Sequence, residues 1–224
     1  MNNFRAGLSL LAGLALTGAA AMPSLSQPSA ESFAFAGKFS LAEAMGSAQL
    51  IIGKKRSQDE LNRRLIESVG NAAQTRALLK AGANPNAVAP DGDTVLMIAV
   101  ENAGNEELDT IEALIAAKAD VNAENPNGDT ALMKASEEDD IDIWATDIVQ
   151  DLLNARAHVN AADKEGVTAL MLAACNDRSV TTAMLLKAGA SVNVMDKNGM
   201  TALSCARWRG GGDTISLLKK AGAR

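Results

Sequence analysis

The sequence predicts an all-helical stack of tandem repeats, and three observations lead to that fold class. Aromatic residues make up only 3% of the 224 residues and tyrosine is absent, while alanine, leucine and glycine are plentiful. A core built from such small and aliphatic side chains suits closely packed helices. One phrase then recurs four times and a second phrase recurs five times, which is typical of a repeat architecture.

The first phrase opens the repeats. It reads DGDTVLMIAV from Asp91, NGDTALMKAS from Asn127, EGVTALMLAA from Glu165 and NGMTALSCAR from Asn198. In every copy a threonine follows a glycine-containing turn and precedes an apolar helical pattern, so its hydroxyl is expected to cap the first helix of the repeat. These residues are Thr94, Thr130, Thr168 and Thr201.

The second phrase closes each repeat. It reads LLKAGANPN from Leu78, LIAAKADVN from Leu114, LLNARAHVN from Leu152, LLKAGASVN from Leu185 and LKKAGAR from Leu218. Its glycine lies where the second helix ends and a left-handed backbone is needed. Lys118 and Arg156 take that place in two repeats, at a local cost of about 1 kcal/mol each.

These phrases resemble the ankyrin repeat, which opens with a Thr-Pro-Leu-His motif and has a period of 33 residues. The resemblance covers about residues 58–224 and implies an all-α solenoid of stacked helix-turn-helix units joined by β-hairpin-like loops. The family's histidine is replaced here by methionine or serine, so methionine packing is expected instead of histidine hydrogen bonds. The five predicted repeats are 58–90, 91–126, 127–164, 165–197 and 198–224.

The second and third repeats are longer than the others. Counted from the capping threonine to the first closing leucine, they span 20 and 22 residues, against 17 in the fourth and fifth. Both inserts are therefore predicted to lie between the two helices of their repeats. There they would form one acidic ridge, made of Glu101, Glu106, Glu107, Asp109, Glu137, Glu138, Asp139, Asp140 and Asp142.

Three interpretations of this ridge are open at the level of the sequence. It is a solvated turn, a docking surface for a basic partner, or a calcium site at Asp140 and Asp142 that lacks the glycine of an EF-hand. Trp144 either covers the lengthened helix or anchors an interface.

The N-terminus has the pattern of a secretory signal peptide over residues 1–26, with Arg5 before an apolar run and small residues after it. Cleavage after Ala21 or Ser26 would fit this pattern. Residues 27–57 are predicted to be a linker with a short helix over 41–52. We therefore expect a periplasmic protein that does not insert into the membrane. Removal of the signal peptide leaves 20 basic and 27 acidic residues, which argues against nucleic acid as a partner.

The two cysteines are predicted to be free thiols. Cys175 and Cys205 lie in the first helices of adjacent repeats, and neighbouring helix axes are about 8–10 Å apart. An offset of three residues along the axis adds to that separation. We expected their α-carbons to exceed the limit of about 7 Å for a disulfide. His158, the only histidine, is expected to be structural.

The chain lacks the convergent nucleophiles, bases or metal ligands that an enzyme needs. The sequence therefore predicts a monomeric, non-enzymatic binding protein without a cofactor or metal ion. Stacked repeats create a concave surface suited to a protein partner. A self-associating protein would need an apolar patch on an end unit, which the C-terminal KKAGAR does not provide.

The resemblance implies that loop tips and the ends of the first helices hold the partner. Exported bacterial ankyrin proteins of this kind include accessory factors of peroxide defence and immunity proteins that neutralise a secreted toxin, and the residues leave both roles open. With the ridge and Trp144 added, the predicted binding residues grade from acidic to mixed along the stack. They are Asp91, Asp93, Glu101, Asn102, Asn127, Asp129, Glu137, Glu138, Asp139, Asp140, Asp142, Trp144, Lys164, Glu165, Val167, Asn176, Lys197, Asn198, Met200, Trp208 and Arg209.

Overall fold

The computed structural model describes residues 57–102, 105–137 and 143–224, with no side chains described for 105–107, 143 and 144. These residues belong to one compact unit within Gln49–Arg224. The predicted signal peptide and the predicted helix over 41–52 lie outside the described residues. The linker up to residue 56 also lies outside them, as do the acidic residues Glu138, Asp139, Asp140 and Asp142 and the side chains of Glu106, Glu107 and Trp144.

The described residues form ten helices and no strand, which confirms the predicted all-α solenoid. Two isolated β-bridges, Val88 to Thr94 and Ala162 to Thr168, lie in the loops that connect the repeats. The helices are α1 over 57–67, α2 Ala72–Lys80, α3 Val95–Glu101, α4 Asn105–Ala116, α5 Ala131–Glu137, α6 Ile143–Asn154, α7 Ala169–Cys175, α8 Ser179–Lys187, α9 Ala202–Arg209 and α10 Gly212–Lys220.

The threonine caps are present at the start of the first helices. Each threonine Oγ1 accepts a hydrogen bond from the backbone N–H three residues later, which satisfies one of the unpaired amides of the first turn. These bonds run from Met97 to Thr94 at 3.3 Å, from Met133 to Thr130 at 3.4 Å, from Met171 to Thr168 at 3.4 Å and from Ser204 to Thr201 at 3.2 Å.

The residues that follow the second helices have the predicted left-handed backbone conformation. Gly82, Gly189 and Gly222 have φ values of 93°, 91° and 92°. Lys118 and Arg156 adopt φ values of 68° and 70° at the matching positions. The repeat geometry therefore overrides the intrinsic preference of two residues that have a Cβ atom.

The helices stack in two layers. The first helices α3, α5, α7 and α9 contact one another in chain order, and the second helices do the same behind them. Compared with the second helices, the first helices of the third to fifth repeats are in more extensive contact within their own layer. Met97, Met133 and Met171 are almost fully buried there, which confirms methionine packing at the position of the family's histidine.

A ladder of asparagines joins successive repeats, and sequence reasoning missed it. The side-chain Oδ1 of each closing asparagine accepts a hydrogen bond from a backbone N–H of the next repeat. The signal was visible, because all four closing phrases that are followed by another repeat end in asparagine. The bonds run from Asp120 to Asn86 at 2.7 Å, from His158 to Asn122 at 2.6 Å, from Ser191 to Asn160 at 2.7 Å and from Arg224 to Asn193 at 3.0 Å.

The prediction that both inserts enlarge the turn between helices is wrong for the second repeat. Helices α4 and α6 have 12 residues, whereas α8 and α10 have 9, so three inserted residues extend the start of the second helix. That accounts for the whole insert of the second repeat. The sequence NEEL stands at residues 105–108, at the start of α4. Its acidic residues are favourable near a helix N-terminus, which explains why the insert continues the helix. In the third repeat two further residues fall within 138–142.

The prediction of two free thiols is also wrong. Cys175 and Cys205 form a disulfide, and their α-carbons are 4.5 Å apart. The error lay in treating the distance between helix axes as the distance between α-carbons. Each α-carbon lies about 2.3 Å from its own axis, so facing residues on adjacent helices come within about 3–5 Å. Buried alanines at Ala173 and Ala206 permit this approach, and the bond joins residues that lie seven and four places after their capping threonines.

Candidate protein-binding face

The outward side of the first-helix layer is formed by two positions of each of the helices α3, α5, α7 and α9. In α3, α5 and α7 every residue is buried except those four and seven places after the capping threonine. In α9 the fourth place is the disulfide-bonded Cys205, which is buried, and the seventh is exposed. We name these residues the inner face. They are Ile98, Glu101, Lys134, Glu137, Leu172, Cys175, Cys205 and Trp208.

An acidic cluster occupies the part of the inner face formed by the second and third repeats. The ammonium group of Lys134 forms an ion pair with Glu101 of the preceding repeat, and it lies 3.7 Å from Oδ2 of Asp93. The side-chain amide of Asn125 donates to Asp93 at 2.7 Å and to Asp129 at 3.0 Å. These contacts bring carboxylates of two repeats around one cation.

The electrostatics of this cluster are net negative. Burial lowers the pKa of Lys134, but the hydrogen bond to Glu101 and the charges of Asp93 and Asp129 together raise the pKa above its usual value. Partial desolvation raises the pKa of Glu137, Lys134 opposes this, and Asp129 and Glu101 reinforce it. Lys134 therefore remains charged but does not neutralise its four acidic neighbours.

Lys134 was not among the predicted site residues. Its neighbours at the same place in the repeat are Ile98 and Leu172, and its side chain is 18% exposed. The signal was a lysine within an otherwise apolar column of the aligned opening phrases. The sequence prediction omitted it because it took binding residues only from the loop tips and from the late positions of the first helices.

The loop tips are held by a second set of side chains that sequence reasoning missed. The Oδ1 atoms of Asn125, Asp163 and Asp196 each accept two backbone N–H groups, two and four residues later, at 2.7–2.9 Å. The first loop has Ala89 at that place, and Asp91 instead accepts from the N–H of Asp93 at 3.1 Å. The tips are thus preorganised by their own side chains.

Backbone hydrogen bonds join neighbouring tips. The N–H of Lys164 donates to the carbonyl of Asn127, and the N–H of Lys197 donates to the carbonyl of Glu165, both at 2.9 Å. The side chains of Lys197 and Glu165 also form an exposed ion pair at 3.4 Å. These bonds join the tips at 127, 164–165 and 197, whereas Pro126 has no N–H to donate at the matching place beside the first tip.

The fourth and fifth repeats contribute apolar residues and the disulfide to the inner face, and the exposed Arg207 and Arg209 flank Trp208 in the sequence. Trp208 is 81% exposed and Met200 is 36% exposed. Val167 and Leu172 are half-buried, and the Cys175–Cys205 disulfide joins the two helices between them. We name these six residues, Val167, Leu172, Cys175, Met200, Cys205 and Trp208, the apolar patch.

Apart from the half-buried Val167, the predicted binding residues fall into three groups in the structure. Asp93, Asp129, Asn102 and Asn176 have side chains committed to contacts within the protein, the two asparagines to carbonyls of their own helices. Glu138, Asp139, Asp140, Asp142 and the side chain of Trp144 lie outside the described residues. The residues that expose their side chains are Asp91, Glu101, Asn127, Glu137, Lys164, Glu165, Lys197, Asn198, Met200, Trp208 and Arg209.

Within the described residues, no three histidine, cysteine or acidic side chains are arranged to hold a metal ion. None of the helices in that part of the chain has the length and apolar character needed to cross a membrane.

Comparison with known proteins agrees with the geometry. The family model described as ankyrin repeats in three copies matches residues 65–146 and 143–224, which together make up more than half of the chain. No curated protein matches the sequence.

Proposed function

Because the chain belongs to the ankyrin-repeat family, we propose that it is a non-enzymatic binding protein of the bacterial periplasm that holds a basic protein partner on its inner face. Ankyrin repeats generally mediate protein–protein interaction. The observation that supports a basic partner is the acidic cluster, where the ammonium group of Lys134 pairs with Glu101, lies 3.7 Å from Asp93 and has the charges of Asp129 and Glu137 nearby.

The cluster has the properties of an electrostatic docking surface. Its charges are fixed to rigid helices and linked by hydrogen bonds, so little reorganisation is needed when a cation arrives. A concave surface with one sign of charge raises the association rate of an oppositely charged partner and disfavours partners of like charge. We expect the association rate to fall steeply as the salt concentration rises.

The proposal of a periplasmic location is supported by two independent features. The first 26 residues have the signal-peptide pattern. The Cys175–Cys205 disulfide is a bond that persists in oxidising compartments and is rare in the cytosol. Export would account for both features, and we propose that the exported protein is a monomer.

Charge neutralisation on the inner face tests the proposed function. The variant Glu101→Gln with Glu137→Gln removes two negative charges without changing side-chain size. The matched control, Glu112→Gln with Asp147→Asn, removes two charges from exposed positions of the second helices of the same two repeats. Proteins that co-purify from the periplasmic fraction should be basic, and the inner-face variant should lose them while the control retains them. Equal recovery with both variants contradicts the proposal.

The two candidate roles predict different behaviour of the captured partner. An immunity protein would bind its toxin in a 1:1 complex and abolish the toxic activity. An accessory factor of peroxide defence would leave the partner active and prolong its lifetime under peroxide. The acidic cluster favours the immunity role, because a charged concave face suits occlusion of a basic surface. Activity of the partner measured with and without one equivalent of this protein separates the two.

A further inference from the structure

The apolar patch has exposed groups that the acidic cluster does not explain. Ser204 and Trp208 are four residues apart and lie along one side of α9, and Met200 precedes the capping threonine of that helix. The sulfur of Met200 lies 3.8 Å from the hydroxyl oxygen of Ser204, whose proton is donated to the carbonyl of Thr201 at 2.8 Å. Trp208 then stands exposed one turn further on, and an exposed tryptophan on a concave surface is a typical anchor of an interface.

We propose that the apolar patch is a second subsite for the same partner, and that it takes an apolar side chain of an extended basic segment. This inference rests on the proposed function. It commits to a segment of a partner protein because the patch continues directly from the acidic cluster along a single face. The Glu137 and Cys175 positions are equivalent places in adjacent repeats.

The disulfide makes the patch rigid. It joins the end of α7 to the middle of α9 and so holds the fourth and fifth repeats together under the exposed tryptophan. A preorganised apolar surface loses less conformational entropy on binding than a mobile one. The cross-link thus serves recognition as well as stability.

The separation of the two subsites sets the spacing in the partner. Glu137 lies on α5 and Trp208 on α9, with α7 between them. Two helix spacings of 8–10 Å place the subsites about 16–20 Å apart. An extended chain advances about 3.3–3.6 Å per residue. The segment should therefore carry a lysine or arginine and an apolar residue about five or six positions apart.

A peptide-display selection tests this spacing directly. A library of random 12-residue peptides is selected on the full, oxidised protein, on Trp208→Ser, and on Glu101→Gln with Glu137→Gln. Met195→Ser is the matched control, because Met195 is 64% exposed but lies outside the patch. The wild-type and control pools should be enriched in a basic residue and an apolar residue at the expected spacing. The pool selected on Trp208→Ser should still be enriched in the basic residue but no longer in the apolar residue.

One enriched peptide, labelled with a fluorophore, then gives affinities. Trp208→Ser should weaken its binding at least tenfold, as for truncation of an interface anchor, and Met195→Ser should change it less than twofold. Circular dichroism of each variant checks that the fold is retained, which we expect because Trp208 is 81% exposed.

Each outcome decides between the two proposals. Basic enrichment without a fixed apolar position overturns the second subsite and leaves the proposed function standing. Absence of basic enrichment contradicts both. If sedimentation shows a dimer that Trp208→Ser abolishes, a second copy of the chain covers the patch and the inference is wrong.

Discussion

Lys134 forms its ion pair with Glu101 across the boundary between the second and third repeats, in a column where the neighbouring repeats have Ile98 and Leu172. A buried apolar contact would have been the simpler way to fill this place. The lysine instead connects two repeats electrostatically and limits the negative charge of the inner face. It is therefore the residue through which the strength of the acidic cluster can be adjusted.

Replacing Lys134 by methionine should strengthen binding of a basic peptide about three- to tenfold, because the competing cation is removed. The gain should be largest at low salt and disappear at high salt. Fluorescence anisotropy over a salt series measures it. Lys219→Met, at an exposed position of α10, controls for the change in net charge. Weaker binding by Lys134→Met would show that the lysine supports the face rather than restrains it.

Reduction of the disulfide should lower the free energy of unfolding. Cys175 and Cys205 are 30 residues apart in sequence, and closing a loop of that length in the unfolded chain corresponds to about 3–4 kcal/mol in the chain-entropy account. Urea unfolding with and without reductant measures the difference. The double variant Cys175→Ser with Cys205→Ser should have the urea midpoint of the reduced wild type, and reductant should not change that midpoint. A wild-type protein whose urea midpoint does not respond to reductant would contradict the cross-link.

The variant Asn122→Ala tests the asparagine ladder. It removes the bond from the His158 N–H at 2.6 Å and the bond to the carbonyl of Arg156 at 3.3 Å. The loss of two hydrogen bonds should lower the free energy of unfolding by about 1–2 kcal/mol. Asn154→Ala is the control, because the Asn154 side chain accepts only from Gln150 of its own helix in the described residues. If both substitutions lower stability equally, the ladder has no special role.

The loop tip at Gly128 should not tolerate a side chain. Its φ is 91°, and a Cβ atom there would lie 2.9 Å from the backbone nitrogen of Lys164. Gly128→Ala should destabilise the protein by more than the 1–2 kcal/mol that a left-handed alanine costs. Gly199→Ala is matched in loop position, with a φ of 77° and no atom within 4 Å of the added carbon. Comparing the two variants by urea unfolding gives the cost of the contact between the added Cβ atom and the Lys164 backbone. If both variants lose the same free energy of unfolding, that contact is unimportant.

Stability should depend on pH through Glu137. Its pKa is raised in the folded state, so the folded protein binds the proton more tightly than the unfolded chain does. Ionised Glu137 therefore disfavours folding above its folded pKa, and that penalty disappears as the pH falls through this value towards 4.5.

Glu137→Gln should accordingly be more stable than the wild type at pH 7, and the difference should close below pH 4.5. Urea unfolding at both pH values measures it. Glu112→Gln, on the second-helix layer, corrects for the change in net charge. A Glu137→Gln variant less stable than the wild type at pH 7 would mean that the ion pairs of the cluster outweigh desolvation.

The sequence by itself determined the repeat unit, because each repeat contains the residues that begin and end its own helices. The capping threonine, the left-handed close and the buried methionine are local features, and their spacing is enough to predict two helices per repeat. Even Lys118 and Arg156, which lack the usual glycine, were correctly placed by alignment with the other repeats.

Only the tertiary structure decided how the repeats meet. The disulfide, the Lys134 cluster and the asparagine ladder each join residues about 30 or more positions apart, and their existence depends on helix separation and relative shift. A shift of a few ångströms between neighbouring helices decides whether two side chains bond. Spacing along the chain does not specify that shift, because it results from how closely the small side chains of both helices pack.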